Sequence, residues 1–297
     1  SIVLYRIMEG ITGYLFLGCL FVLIILGFSA LKFNHLFIWM DPDVVAHDEI
    51  IRNKIGYLNI PFFFVRAIIY ITGWVIYREI TRRLSLQQDD SNDINIHKKL
   101  FKFSAGFLVF FLVSESMMSW DWIMSIDTHW FSTLFGWYVF SSMFVTFLIV
   151  LFMIVLNVKS QGQLEFFNDS HHHDLAKFIF AFSIFWTYLW FAQFMLIWYS
   201  NIPEEVTYYI ARFDDYKVPF MTALVFNFVV PIIMLMSRDA KRITSRVLII
   251  GSIILVGHYL DFFVMIIVFT SIRSFSALSY NNLSFFTCQI FKVVFRL

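Results

Sequence analysis

Five polar side chains stand inside runs built mainly from apolar and aromatic residues. Arg66 lies in FFFVRAIIY, Glu115 in FFLVSESMMSW, Gln193 in FAQFMLIWY, and His258 with Asp261 in GHYLDFF. An ionisable group at membrane depth is costly, and its default reading is a functional one. His258 and Asp261 stand three residues apart, so on a helix both project from one face. Such a pair can pass or hold a proton, the carboxylate fixing the imidazole tautomer and stabilising its cation. Arg66 does not release its proton and needs a carboxylate or a wet cavity; Glu115 or Asp261 is the expected partner. The alternative is structural. Arg66 would then fix helix register, and His258 with Asp261 would form a satisfied helix contact worth about 0.6 kcal/mol.

The composition narrows the setting. Of 297 residues 60% are hydrophobic and only 14% charged, with 39 Phe. Soluble domains are about one quarter charged, which argues against a water-soluble enzyme. A net charge of +1 gives no basic field for phosphates, so no nucleic-acid partner is expected. Cys19 and Cys288 lie in apolar stretches, and there is no CxxC, CxxCH or set of four cysteines. Covalent haem, iron–sulfur clusters and structural zinc therefore lack ligands. A b-type haem needs opposed histidines, and His258 is the only histidine well inside an apolar run. No metal site is expected.

The elements that must carry these residues are membrane helices. A bilayer core about 30 Å thick needs roughly 20 apolar residues. Seven runs qualify: Ile11–Leu31, Leu58–Tyr77, Phe101–Trp120, Trp130–Asn157, Leu175–Tyr199, Val218–Met236 and Val247–Thr270. Leu283–Leu297 is apolar but short, an interfacial helix or the stub of a further span. Lipid offers backbone groups no water, so helices are the economical reading. The expected fold is an all-α polytopic transmembrane helix bundle forming a single membrane domain. No secretory leader pattern opens the sequence.

Charge sorts the loops. Arg6, Arg78, Arg82, Arg83, Lys98, Lys99, Lys102, Lys159, Lys177, Arg238, Lys241, Arg242 and Arg246 all fall on one side, so the positive-inside rule places the loops 78–100, 158–174 and 237–246 in the cytoplasm. The loops 32–57, 121–129 and 200–217 then face outward. Trp39, Trp120, Trp122, Trp130 and Trp198 flank them like an interfacial aromatic belt. The proton-path or quinone-site candidates are Arg66, Glu115, Asp121, Asp127, His129, Gln193, His258 and Asp261. The candidates for docking a partner are His35, Asp41, Asp43, His47, Asp48, Glu204 and Glu205. The run His171–His173 reads as a solvated loop. A secondary transporter ranks last, because Pro61 and Pro231 are isolated and no internal repeat is visible.

Four long stretches carry a resemblance: RIMEGITGYL, FNHLFIWMDPDVVAHD, SESMMSWDWIMSIDTHWFSTLFGWYVF and FAFSIFWTYLWFAQFMLIWYSNIPEE. They resemble the ActF-type membrane subunits of bacterial alternative complex III, a quinol:cytochrome c oxidoreductase. That family is similar in turn to ActC and to the NrfD/PsrC quinone-handling subunits. The resemblance covers roughly Arg6–Phe269. It implies NrfD/PsrC-like four-helix bundles in a bacterial inner membrane, and a subunit that serves quinol oxidation near the outer face. It implies no covalent cofactor here, a possible quinone, and haem and iron–sulfur clusters in partner subunits only. The implied partners are an ActC-like membrane subunit, an iron–sulfur subunit, c-type cytochrome subunits, a terminal oxidase and lipids. For this chain it leaves open a proton pathway, a second quinone site or a purely structural anchor. The family has more spans than seven, so further helices are expected to flank this stretch.

Overall fold

The computed structural model describes residues 2–34, 36–91, 93–164 and 166–278. His35 and Leu283–Leu297 lie outside the described residues, as does the side chain of Glu204. Every regular element among the described residues is helical.

Seven helices there are long and apolar enough to cross a bilayer: Val3–Ala30, Ile60–Asp90, Ile94–Ile126, Phe135–Ser160, Asp169–Ser200, Lys217–Leu235 and Thr244–Val268. We number them as the first to the seventh span; the last continues as helix to Leu278. The chain is a multi-pass membrane protein.

The helices outrun their apolar windows at charged ends. The second runs through Arg78 to Asp90, and the third starts at Ile94, leaving only 91–93 between them. Hydropathy marks the hydrocarbon, whereas caps decide where a helix stops. Asn59 caps the second span through Phe62 N, and Asp93 caps the third through Asn95 N. Asn168 and His171 form a reciprocal capping box on the fifth. The run His171–His173 is therefore the first turn of a helix rather than a loop, and His172 is buried. Asn201, in the left-handed region at φ 48°, ends that span.

Connectivity alternates the helix ends. The segments 31–59, 127–134 and 201–216 share one end, the acidic one; 91–93, 161–168 and 236–243 share the other, made basic by Arg82, Arg83, Lys98, Lys99, Lys159 and Lys177 on the flanking helix ends and by Arg238, Lys241 and Arg242. The outer-loop expectation is refined at two places. Segment 32–57 holds two short helices, Pro42–His47 and Glu49–Asn53, and 200–217 holds the helix Pro203–Asp214. Asp121 is not a loop residue, because helix continues through Trp122.

Packing divides into two layers of core. Toward the acidic end Trp39, Ile51, Phe63, Trp130, Phe135, Trp186 and Tyr208 belong to one buried cluster. Toward the basic end Val145, Ile149, Phe152, Ile179, Leu235 and Ile250 belong to another. Outward-facing residues such as Phe16, Leu20 and Ile24 of the first span stay exposed and apolar, as lipid contact requires. That span is held at its basic end by charge. Glu9 is buried against Arg6 (2.9 Å), Ser85 (3.1 Å) and Arg82 (3.6 Å), and Arg6 also pairs with Asp89. At Gly136 the fourth span meets the third closely: a Cβ there would lie 3.1 Å from the Ser116 backbone, the close approach that small residues permit between membrane helices.

Candidate functional site

The polar residues resolve into two buried centres and one surface clasp. The first centre joins the second and third spans. Arg66 donates from Nε and Nη2 to Asp121 at 2.8 and 2.9 Å, a bidentate fork. Its Nη1 donates to Tyr57 O at 3.0 Å, and its guanidinium lies 3.9 Å from the Tyr57 ring centre and 4.4 Å from that of Phe62. Tyr70 adds a hydrogen bond to Asp121 at 3.0 Å. The partner of Arg66 is thus Asp121, not Glu115 or Asp261 as expected. The reason is depth: Arg66 sits about two turns inside the acidic end, level with Asp121 and not with groups further in. Burial, then the charge of Asp121, pushes the Tyr57 phenol up to about 12, so it stays neutral over the guanidinium. Glu115 lies six residues inward of Asp121, about 9 Å along the helix. It is buried, with Ser119 Oγ at 3.4 Å from Oε1.

The second centre is Asp261, where the fourth, fifth and seventh spans meet. Three donors converge on its carboxylate. Tyr138 Oη donates to Oδ1, while Trp186 Nε1 and Ser142 Oγ reach Oδ2 at 3.1 and 3.2 Å. Ser142 Oγ also lies 2.7 Å from His258 Nδ1. His258 and Asp261 therefore communicate through a hydroxyl on the fourth span rather than directly along their own helix. Asn227 of the sixth span approaches the same nitrogen at 3.4 Å. Trp186 meets the imidazole edge to face, with centroids 5.5 Å apart.

A small cavity opens beside Asp261 toward the acidic end. Tyr138, Gln193, Tyr208, Tyr209 and Arg212 line it with Phe220. Its free space is about that of one water molecule. Gln193 is buried there, and its Nε2 has no partner among the described residues. The helix Pro203–Asp214 roofs the cavity, Arg212 stacking on Tyr208 at 3.3 Å and Tyr208 on Trp130 at 4.1 Å. Burial pushes the phenols of Tyr208 and Tyr209 up, so both stay neutral where they line the cavity.

No hydrogen bond or ion pair among the described residues joins Arg66, Asp121 or Glu115 to His258 or Asp261. The titratable candidates therefore form two separate centres rather than one. Asp127 and His129 belong to neither. His129 Nε2 lies 2.7 Å from Asp48 Oδ2, and Asp127 Oδ1 accepts from the His129 amide at 3.1 Å. This clasp ties the segment before the second span to the segment after the third, assisted by Lys54, whose Nζ donates to Thr128 O at 2.5 Å. Among the docking candidates, Asp43 and His47 are exposed on the same end, bonded to each other through Asp43 O. Asp41 caps the helix that starts at Pro42, and Glu205 lies in the first turn of Pro203–Asp214.

Asp48 makes the clasp pH-sensitive. Its partial burial works to raise the carboxyl, but the Ile51 and Ile50 amides and His129 together hold it below the usual range. A depressed carboxylate stabilises the fold above its unfolded value, near about 4, and the contribution vanishes as pH falls through the folded value. Amide protection of Glu49–Asn53 should therefore drop as pH falls below about 4. Asp48→Asn, which keeps the cap but not the charge, should flatten that profile in hydrogen exchange.

Sequence reasoning missed Tyr138, Ser142, Trp186, Asn227 and Arg212. A signal existed for two pairs: Tyr138 with Ser142, and Tyr208 with Arg212, each stand four residues apart on one helix face. Asn227 is a lone amide in VFNFVVP. No family model matches this chain, and no curated protein matches it.

Proposed function

We propose that this chain is an integral membrane subunit of a respiratory quinol:cytochrome c oxidoreductase of the alternative complex III kind. In that reading it sits in a bacterial cytoplasmic membrane with its acidic end outward, and the Asp261 centre carries protons toward that end. The supporting observation is the Ser142 bridge, 2.7 Å from His258 Nδ1 and 3.2 Å from Asp261 Oδ2. If Ser142 donates to the carboxylate, His258 Nδ1 must donate to Ser142, and Nε2 carries the lone pair. A proton bound at Nε2 then releases the Nδ1 proton to Ser142 as that hydroxyl's own proton passes to Asp261. One N–H forms and one breaks, and the hydroxyl is regenerated. The starting tautomer returns when water carries the Nε2 proton to Nδ1, breaking one N–H and forming the other. Proton arrival at Asp261 requires a donor to let go, and the water-sized space beside Tyr138 supplies an acceptor on the acidic side.

That space favours a proton route over a quinone pocket within this subunit, since a quinone ring does not fit it. Quinol oxidation and the haem and iron–sulfur carriers then belong to the ActC-like, iron–sulfur and c-type cytochrome partners. The acidic-end residues Asp43, His47 and Glu205 offer a docking face, and lipid covers the outer helices. A second reading, a structural anchor for those partners, is favoured by the Arg66–Asp121 pair, whose fork is closed and fully partnered. The test is Asp261→Asn in the intact complex reconstituted in vesicles. Turnover-linked proton release should slow about 10²-fold or more with assembly unchanged. A wild-type rate would leave only the anchor.

A further inference from the structure

The sixth span does not cross the bundle as a regular α-helix. Over Val225–Val229 its hydrogen bonds widen to the i+5 pattern, with Val230 N bonded to Val225 O. Such single-turn π-bulges concentrate at functional positions. The cause here is local. Pro231 lacks the N–H that would bond the Asn227 carbonyl four residues back, so the helix accommodates an extra residue before it.

The bulge thrusts Asn227 inward. Its side chain is fully buried and reaches to 3.4 Å from His258 Nδ1. The seventh span admits it only because residue 257 is glycine. A Cβ there would lie 2.1 Å from Asn227 Oδ1 and 2.8 Å from Phe226 Cβ. The second contact is close to backbone and has little room to yield. Each of these two residues keeps a buried polar atom without a partner among the described residues, Asn227 Oδ1 and His258 Nε2. Leaving either unsatisfied is costly, and buried polar groups of this kind usually bind water.

We propose that the π-bulge of the sixth span is a proton-loading site, in which Asn227, admitted by Gly257, positions a protonatable water for His258 Nε2. The inference rests on the proton-path reading and extends it from the relay to its supply. The step breaks an O–H of the protonated water and forms the Nε2–H bond, leaving a neutral water held by the Asn227 amide. Asn227 is a positioning residue: its amide does not exchange the proton, and its contribution is the place and orientation of the donor.

The experiment uses the intact complex in vesicles with three variants: Gly257→Ala, Asn227→Leu and, as reference, Asp261→Asn. Two readouts are taken, the rate of proton release in a single turnover and the infrared O–H stretch of internal water, identified by its shift in H₂¹⁸O. Gly257→Ala and Asn227→Leu should each slow proton release, by about 10²-fold for a displacement near 1 Å, and remove the internal-water band. Asn227→Asp, which keeps size and oxygen, should retain the band and guards against a folding defect in the other two. If Asp261→Asn slows release while Gly257→Ala and Asn227→Leu keep the wild-type rate and band, the loading site is overturned and the relay stands. If Asp261→Asn also runs at the wild-type rate, the relay itself is wrong and the loading site falls with it.

Discussion

Arg66→Ala is expected to destabilise the chain by about 3–5 kcal/mol, the usual consequence of removing one member of a buried ion pair. The magnitude follows from what stays behind. Asp121 is fully buried, and without the guanidinium it keeps only neutral phenols, Tyr70 and Tyr57, as side-chain partners. Tyr57 O loses the Nη1 bond and the Tyr57 ring its cation, so the segment entering the second span loosens as well. The measurement is the fraction of chain that remains monodisperse in mild detergent, followed by its thermal midpoint. An unchanged midpoint would contradict the account. The paired variant Arg66→Met with Asp121→Leu separates structure from function. Replacing both charges by apolar groups of similar volume is often neutral or stabilising. The double variant should therefore recover folding. If it folds and the intact complex keeps its turnover, the pair is a fastener between two helices and nothing more. If it folds and turnover collapses, this centre belongs with the proton machinery after all.

The apolar runs made the seven spans readable, because only membrane helices bury backbone groups in twenty-residue hydrocarbon stretches. Their ends were less readable. The second span's extension through Arg78 to Asp90 depends on caps and helix propensity, which hydropathy does not register. His258 and Asp261 were visible as polar residues at depth, and both lie in the Asp261 centre. Their partners were not, because the bridge comes from Ser142, more than a hundred residues away on the fourth span. Serine in a membrane helix is common and carries no signature of its own. Arg66 was visible too, yet its carboxylate was misplaced. Asp121 lies at the boundary where a charge reads as loop, while the helix there carries it into a buried position. The π-bulge was legible only in hindsight: Pro231 and Asn227 stand four residues apart, the separation at which proline frees a carbonyl, but nothing in one sequence says which way the freed turn will aim.

Ser142→Ala should slow turnover-linked proton release by about 10²-fold while changing stability by only about 0.6 kcal/mol, the mean for a hydrogen bond between membrane helices. The disproportion is the point. Alanine leaves the backbone and packing of the fourth span intact, and Asp261 keeps Tyr138 and Trp186 as donors. What disappears is the one hydroxyl among the described residues within hydrogen-bond reach of both the His258 imidazole and the Asp261 carboxylate. Groups that act in series fail together, so their losses do not add. The double variant Ser142→Ala with Asp261→Asn should therefore be no slower than the worse single variant. Tyr138→Phe offers the contrast on the other side of the carboxylate. It removes the donor facing the cavity without cutting the link to His258, so its effect should be smaller and should show chiefly in the pH profile. Rates that multiply across Ser142→Ala and Asp261→Asn would mean that the two residues act independently, with Asp261 tuning the site's field rather than receiving a proton through Ser142. Rates that saturate place the hydroxyl and the carboxylate on one path, and the direction of that path is then set by which side of the vesicle the released proton reaches.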